Sequence, residues 1–395
     1  MNEVNNISGK VAIVGIGTSV LSRDSKRSVG ALALDAVRGA IRDSGVPPED
    51  IDGVGGIYST DQPTVWPGYV VESLGLSDIV WSTCAAPASA NIVTEGIAAV
   101  AAGVCNYAVC YHAKYRWDTV SAAARKDPMR RAVRSGMDPW MSVPLVEPFG
   151  VPNGMFAAAQ RHMHEFGTSR EHLGMIVCNN RRWALENEAA VFYDKPLSYE
   201  QYLEAPLAVP PLSALDMDMP IDAAMAVVIT TPERAADLPH RSVIVDASAN
   251  GITGGSDFFF QPFESYASYK TLVDRLWHMS GHGIGDMDLV NIYDGFSSLA
   301  LEWIDAAFDV RGEVGGFLED AWDAEKSKIF FPGGVPMSTH GGNIGEGRVQ
   351  GFGHVLEAVR QLRGTAGSRQ IDNPELALVV NGNNPVNAGM ILRAG

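Results

Sequence analysis

The stretch "SGVPPEDIDGV" (Ser44–Val54) recurs in the second half of the chain as "SGHGIGDMDLV" (Ser280–Val290). Without gaps, the two copies share a Ser, a Gly, two Asp and a Val, which makes five matches in eleven positions. A long helical pattern comes before each copy, and a strand-like apolar run follows it. The same helix, turn and strand unit therefore appears once in each half, and the sequence predicts an internal duplication.

Outside the repeat, strand-like runs alternate with helical patterns. The run "KVAIVGIG" (Lys10–Gly17) is followed by a helical pattern, and "RSVIVDASANG" (241–251) opens the second half. This alternation indicates an α/β protein with a largely buried sheet. We predict an N-terminal half over residues 1–235, with an insertion at about 118–215, and a C-terminal half over residues 236–395. The insertion is rich in Pro, Met and aromatic residues, which is typical of a segment that sets substrate specificity.

The composition disfavours several classes of protein. With 30 Lys and Arg against 46 Asp and Glu, the net charge of −16 opposes binding to nucleic acid and to anionic membranes. No window reaches the roughly 18 uninterrupted apolar residues of a membrane span, and the N-terminus lacks a secretory signal pattern. The four cysteines are too few for a disulfide framework and form no zinc motif. We expect a cytoplasmic protein without a metal ion.

Several segments resemble, in their order and spacing, those of the thiolase superfamily. They are "VAIVGIG" (11–17), the two acidic repeats, "WSTCAAPASANIVTEGIAAVAAG" (81–103), "NIYDGFSS" (291–298), "MSTHGGNIGEGRVQGFGHVLEAVRQLRG" (337–364) and a C-terminal Gly- and Asn-rich turn. The resemblance covers nearly the whole chain. It implies a duplicated α/β thiolase fold of five layers, αβαβα, with an inserted loop region, and an enzyme that acts on acyl-CoA thioesters.

The resemblance also implies where a thiolase nucleophile would lie. In that family a cysteine at a helix start, seventeen residues before the glycine that closes the helix, carries the acyl group; counting back from Gly103 gives Ala86. Cys84 lies two residues upstream and is the alternative nucleophile, or else a small buried residue near the helix start. Alanine cannot form an acyl-enzyme, but its backbone N–H at a helix N-terminus could still hold an oxyanion.

Two further thiolase positions depart from the family pattern. The segment "HGGNIGEGRVQG" (His340–Gly351), which we call the glycine loop, has Arg348 where thiolases have the activating histidine, and a guanidinium cannot act as a base. The C-terminal segment has no cysteine for the second thiol. The segment "YDGF" (293–296) is the counterpart of a family tetrad whose first residue helps to hold an oxyanion, which places Tyr293 at the active centre with Asp294 beside it. This pattern resembles the lipid-transfer-protein-type, thiolase-like aldolases that shorten steroid side chains.

That resemblance implies acid and base chemistry without an acyl-enzyme. Tyr293 is the predicted proton-transfer residue. Because phenol has a pKa of about 10, it needs a neighbouring cation or hydrogen-bond donor that lowers its pKa, and Arg348 and His340 are the candidates. His340 and Asn343 could complete a proton relay or hold the enolate oxygen, with Asp294 in support.

Each of these assignments has a structural alternative. Tyr293 could be a buried strand aromatic with a paired hydroxyl. His340 could cap the loop or be exposed, and Arg348 could bind a carboxylate such as Glu346 or a partner subunit.

The resemblance implies both an activity and an assembly. The activity is retro-aldol cleavage of a bulky, steroid-like β-hydroxyacyl-CoA to a ketone and a short acyl-CoA such as propionyl-CoA. The alternatives are a thiolase or acyltransferase that uses Cys84, and an inactive scaffold for a partner protein.

This chain needs no cofactor of its own, since coenzyme A belongs to the substrate. The expected assembly is a homodimer core in a heterotetramer with a small OB-fold and zinc-ribbon protein, in which the zinc lies in the partner.

Overall fold

The computed structural model describes residues 7–57, 64–85, 89–115, 150–252, 265–383 and 386–395. In chain order the strands are β1 Val11–Thr18, β2 Gly53–Ile57, β3 Trp81–Ala85, β4 Ala108–Lys114, β5 Leu207–Val209, β6 Leu212–Ser213, β7 Ala223–Thr230, β8 Val243–Ile252, β9 Leu289–Ile292, β10 Trp322–Asp323, β11 Lys328–Phe331, β12 Val335–Pro336, β13 Leu376–Asn383 and β14 Val386–Ala394. The α-helices are α1 Val29–Ser44, α2 Pro67–Leu74, α3 Ser89–Ala101, α4 Gly150–Phe166, α5 Arg170–Ala184, α6 Tyr199–Glu204, α7 Pro232–Ala235, α8 Ser265–Ser280, α9 Ser297–Phe308, α10 Val314–Ala321, α11 Gly342–Gly345 and α12 Phe352–Arg363.

The main sheet repeats one arrangement of strands. In the described ranges its order is β3-β2-β4-β7-β1-β8-β14-β13-β9. Each half contributes four strands in the same arrangement, which from the centre outward are β1-β7-β4-β2 in one half and β8-β14-β13-β9 in the other. In both halves the first two pairings are antiparallel and the third is parallel. The two halves join where residues 11–13 of β1 pair with residues 243–245 of β8. The predicted duplication is confirmed, and the predicted boundary at residue 235 lies between β7 and β8.

The repeated acidic segments form equivalent turns and equivalent hydrogen bonds in the two halves. Each contains a short 3₁₀ turn, Pro48–Asp50 or Ile284–Asp286, that leads into β2 or β9. The second aspartate of each copy then accepts backbone N–H groups at the start of the neighbouring strand. Asp52 binds the Tyr107 N–H at 2.8 Å, before β4, and Asp288 binds the Leu376 N–H at 3.0 Å, in β13. The matching residues thus fix the register of matching strands.

Helices form three layers around the two halves of the sheet. Helix α1 packs on β1, β7 and β4, and α8 packs on β8 and β14, each on an outer face. Helices α3 and α12 contact strands of both halves and form the central layer. Along β1, Val11 and Ile13 point into the central core, whereas Ala12 and Val14 face α1, as the two-residue period of a strand requires. The expected five-layer αβαβα fold is confirmed.

The glycines of β1 allow α1 to lie directly on the strand. A Cβ at Gly15 would lie 2.3 Å from the Ala40 carbonyl oxygen, and one at Gly17 would lie 2.0 Å from the Ala36 carbonyl oxygen. Any side chain at these positions would push the helix away.

The predicted insertion at about 118–215 falls partly outside the described residues, at 116–149. Its described part contains α4, α5, α6, β5 and β6. Among the described helices, none combines the length and the apolar character needed to cross a membrane.

Candidate active site

The candidate site lies where β4, β9 and β13 end against the glycine loop. Asn381, near the end of β13, accepts the Ala90 N–H of α3 at 3.4 Å and donates to the Gln350 carbonyl of the loop at 3.0 Å. It therefore ties the first turn of α3 to the glycine loop. The carboxyl ends of strands in α/β sheets are where such proteins bind their ligands. Ala86, the predicted oxyanion donor, lies outside the described residues.

Asp294 is fully buried and holds the glycine loop in shape. Its Oδ1 accepts the backbone N–H of Asn343 at 2.7 Å and the Nδ2 of Asn343 at 3.0 Å. Its Oδ2 accepts the Ile344 N–H at 2.9 Å and the Asn180 Nδ2 at 2.7 Å. A Cβ at Gly342, whose φ is +61°, would lie 2.2 Å from Oδ2, so a larger residue would displace the carboxylate. Asp294 thus positions the loop, with both of its oxygens engaged.

Asn343 is also engaged within the loop. Its Nδ2 donates to Asp294, and its Oδ1 accepts the Gly351 N–H at 3.0 Å. Its carbonyl accepts the Met219 N–H at 3.2 Å. This geometry favours a loop-holding role over the predicted contact with the enolate oxygen.

Tyr293 follows the last residue of β9, and its side chain is buried. The ring folds over the next turn, since a Cβ at Gly295 would lie 2.7 Å from the Tyr293 hydroxyl oxygen. Among the described residues, that hydroxyl has no hydrogen-bond partner, so it is available to a ligand.

Burial raises the pKa of the Tyr293 phenol well above its usual range. The Asp218 charge raises it further, and the opposing effect of Arg348 is smaller. Arg348 does lower this pKa, as expected of a neighbouring cation, but desolvation and the Asp218 carboxylate outweigh the guanidinium, so the pKa stays above its ordinary value. The phenol is protonated at neutral pH and is suited to donate a proton or a hydrogen bond rather than to act as the base.

Arg348 binds Asp218, a residue that was not among those predicted from the sequence. Its Nη1 donates to Asp218 Oδ1 at 3.2 Å, and its backbone N–H donates to the Met219 carbonyl at 2.8 Å. The backbone N–H of Asp218 donates to the Gly295 carbonyl at 3.2 Å. The segment at Asp218 therefore lies between the Tyr293 turn and the glycine loop.

Glu346, the carboxylate suggested for Arg348, instead accepts the Asn187 Nδ2 at 3.0 Å. The suggested Arg348–Glu346 pair is therefore wrong, because Asp218 takes the guanidinium and Glu346 turns toward Asn187. Sequence patterns offered little to find Asp218, since "LDMDMP" (215–220) shows no strand or helix period around it.

Two basic residues of β4 lie in this region, and one of them, Lys114, acts on the Asp218 carboxylate. His112 and Lys114 occupy alternate positions near the end of this strand and are both buried. Burial lowers the pKa of His112 well below its usual range, and the charges of Lys114 and Arg348 lower it further. Burial raises the pKa of Asp218 to about 6, and Arg348 and Lys114 oppose that rise. Two buried basic residues on one face of an otherwise apolar strand were the signal that could have marked this region.

His340 lies in a buried cluster with His354, whose ring is in turn 6.4 Å from the Tyr293 ring. The His340 ring is 4.7 Å from the His354 ring, and its Nε2 is 4.0 Å from Glu346 Oε2. Burial lowers the pKa of His340 well below its usual range, with further lowering by His354, Arg369 and Arg360. The ring is therefore neutral, and the expectation that His340 could supply a cation for Tyr293 is wrong.

Cys84 is a residue of β3 and is not at the start of a helix. It pairs with Gly56 of β2, and α3 begins only at Ser89. Burial, followed by the Glu95 charge, raises the pKa of the thiol. A nucleophilic cysteine needs the opposite shift, because the thiolate is the reactive form.

Comparisons with known proteins agree with this architecture. Residues 268–392 match the family described as "Thiolase C-terminal domain-like". The chain is 31% identical to the "17-hydroxy-3-oxo-4-pregnene-20-carboxyl-CoA lyase" of Mycobacterium tuberculosis, over 98% of this chain and 100% of that one. It is 29% identical to the "Steroid side-chain-cleaving aldolase" of Thermomonospora curvata, over 98% of each chain.

A solved structure titled "Ltp2-ChsH2(DUF35) aldolase" superposes with a TM-score of 0.86 at 28% identity, over 98% of each chain. The fold, the altered thiol positions and these relatives agree with one another. The chain belongs to the thiolase superfamily, in its group of thiolase-like aldolases, and is a carbon–carbon lyase.

Proposed function

We propose that this protein cleaves the Cα–Cβ bond of a bulky, steroid-like β-hydroxyacyl-CoA, and that Tyr293 is its acid. The products are a ketone and a short acyl-CoA such as propionyl-CoA. The observation that carries this proposal is the buried Tyr293 hydroxyl, which is protonated and has no hydrogen-bond partner among the described residues. The names of the two relatives, a steroid side-chain-cleaving aldolase and a pregnene-carboxyl-CoA lyase, support the choice of substrate.

The reaction needs a base, an oxyanion site and an acid. The base removes the β-hydroxyl proton, the carbonyl of the ketone forms, and the electrons of the Cα–Cβ bond pass into the thioester enolate. The Tyr293 phenol then donates its proton to the enolate carbon. Arg348, whose charge favours the phenolate, stabilises the anion that remains. The backbone N–H of Ala86, the oxyanion donor predicted from the sequence, binds the enolate oxygen.

A product assay tests this function. The protein, with and without a small OB-fold and zinc-ribbon partner, is incubated with β-hydroxyacyl-CoAs that carry steroid, branched or linear chains. Mass spectrometry should detect a ketone and a short acyl-CoA in a 1:1 ratio. Acyl exchange that depends on free coenzyme A would indicate an acyltransferase instead. Partner binding without turnover of any substrate would favour the scaffold.

Replacement of Cys84 by Ala separates the aldolase from the acyltransferase. We expect kcat/KM to fall by less than about tenfold, a barrier change below about 1.4 kcal/mol, because the protonated thiol takes no part in the chemistry. Steady-state kinetics gives the rate, and intact-mass spectrometry after a substrate pulse looks for an acyl adduct. Loss of turnover together with an adduct on wild-type Cys84 would establish the thiol route.

The assembly is the second part of the proposal. The relative of known structure is named as a complex of two proteins, and we propose that this chain likewise binds a small partner around a homodimer core. Strand β3 is at one end of the described sheet and pairs only with β2 there. Next to it, Val80 is 65% exposed. An edge strand beside exposed apolar surface is suited to pair with a second copy of the chain.

We expect Val80→Asp to weaken the homodimer at least tenfold, or by about 1.4 kcal/mol or more, because a charge would be buried at the interface. Sedimentation velocity over a dilution series measures the monomer–dimer equilibrium. Val20→Asp is the control, since Val20 is also exposed, at 53%, but lies beyond the end of β1 in the middle of the sheet. An unchanged dimer in Val80→Asp would place the interface elsewhere.

A further inference from the structure

We propose that Asp218 is the base of the reaction and that Arg348 positions it. The Asp218 carboxylate takes the proton of the substrate's β-hydroxyl group, while Tyr293 gives a proton to the enolate carbon. This inference rests on the proposed cleavage function and assigns the role that it leaves open.

The backbone places Asp218 beside Tyr293. The Asp218 N–H donates to the Gly295 carbonyl, two residues after Tyr293, at 3.2 Å. The Met219 N–H donates to the Asn343 carbonyl of the glycine loop at 3.2 Å. Two hydrogen bonds thus hold this segment between the Tyr293 turn and the loop that carries Arg348. The Asp218 charge is also the largest electrostatic influence on the Tyr293 phenol.

The contacts of Asp218 leave its carboxylate partly free. Arg348 donates one hydrogen bond, of 3.2 Å, to Oδ1. No hydrogen bond to Oδ2 is formed by the described residues. Asp294 differs, because two donors occupy each of its oxygens. A base needs an open lone pair directed at the substrate, and of these two carboxylates Asp218 has one.

The charged groups around Asp218 are Arg348 and Lys114, which favour its ionised form, and Asp294, which opposes it. With a pKa of about 6, the carboxylate is ionised at neutral pH and still basic enough to accept a proton. The Tyr293 phenol shifts in the opposite direction and keeps its proton. Two neighbouring groups whose environments separate their protonation states can divide the roles of acid and base.

The proton count closes over one cycle. Asp218 gains the β-hydroxyl proton, and the O–H electrons form the carbonyl bond of the ketone. The Cα–Cβ electrons form the enolate, and its carbon takes the proton of Tyr293. A proton then passes from Asp218 to the Tyr293 phenolate, directly or through water, and both groups return to their starting states without any other reagent.

The first test is the variant Asp218→Asn, assayed as the assembled complex. An amide cannot accept the hydroxyl proton, so we expect kcat to fall by about 10²-fold or more. Asp218→Glu keeps a carboxylate and should retain part of that activity. Circular dichroism and thermal unfolding establish that both variants are folded. Asp246→Asn is the matched control, because the Asp246 side chain is 6% exposed, against 9% for that of Asp218, and is likewise paired with an arginine, Arg393, at 2.9 Å.

The second test is the pH dependence, which a purely structural role would not change. The wild-type rate should be maximal well above the pKa of Asp218, about 6, and should fall as the pH drops through that value. Arg348→Met removes a charge that lowers this pKa. The acid limb of the pH–rate profile, where the rate falls with falling pH, should therefore move to higher pH. Asp246→Asn should leave the acid limb in place.

The outcomes separate this inference from the proposed function. If the wild type cleaves no β-hydroxyacyl-CoA, the proposed function itself fails. If the wild type cleaves, but folded Asp218→Asn keeps its rate or Arg348→Met keeps the wild-type acid limb, the function stands and Asp218 is not the base.

Discussion

Replacement of Tyr293 by Phe should lower kcat for carbon–carbon cleavage by about 10³-fold, within the range of 10²–10⁴ that a positioned proton donor contributes. The ring of phenylalanine fills the same volume, so the fold and the assembly should persist. Only the hydroxyl is lost, and it has no partner among the described residues whose hydrogen bond would be broken. Pre-steady-state product analysis measures the effect, because it isolates the chemical step from product release.

Tyr111→Phe is the matched control for that experiment. Tyr111 is another fully buried tyrosine, but its hydroxyl donates to the Val65 carbonyl at 2.6 Å on the α1 side of the sheet. Its loss should cost about 1 kcal/mol of stability and leave kcat intact. If Tyr293→Phe cleaves substrate as fast as Tyr111→Phe does, the phenol is not the acid.

Replacement of Asp294 by Ala should lower the free energy of unfolding by about 3–5 kcal/mol. The carboxylate accepts four hydrogen bonds, and its removal leaves buried N–H donors of Asn343, Ile344 and Asn180 without an acceptor. Urea unfolding followed by circular dichroism gives the difference directly. The glycine loop should also lose protection in hydrogen exchange, because its short helix α11 depends on this carboxylate.

Asp320→Ala serves as the control, since Asp320 is exposed at the end of α10. It should change the free energy of unfolding by less than about 0.5 kcal/mol. A similarly small effect of Asp294→Ala would mean that the loop is held by other contacts.

The fold could be predicted because its main signals are local and occur twice. Asp52 and Asp288 cap the strand next to their own in each half, so the chain repeats the residue wherever it repeats the strand pairing. The turn that precedes each strand is likewise determined by a few neighbouring residues. Such short-range requirements produce a pattern that can be recognised in the sequence. The resemblance to a known family then implied the five-layer arrangement of sheets and helices.

The site was predicted less completely, because its properties come from tertiary burial. Tyr293, Asp294 and Arg348 could be found from motif positions, but the upward shift of the Tyr293 pKa comes first from burial and then from a carboxylate in a distant part of the chain. Asp218 has no local pattern, and only folding places it beside the Tyr293 turn. His340 was misjudged for the same reason, since a polar loop residue gives no sign that the loop is buried against α12.

The pairing of β1 with β8 spans only three residues on each strand, and the central helices α3 and α12 fill the space between the halves. The two halves therefore dock against each other much as the subunits of a heterodimer do. One half contributes Lys114, Asp218 and the start of α3, and the other contributes Tyr293 and Arg348. The Asp218–Arg348 ion pair therefore crosses the interface between the two halves. Neither half alone contains all the residues of the candidate site. Correct docking of the halves brings the proposed acid, Tyr293, next to the proposed base, Asp218.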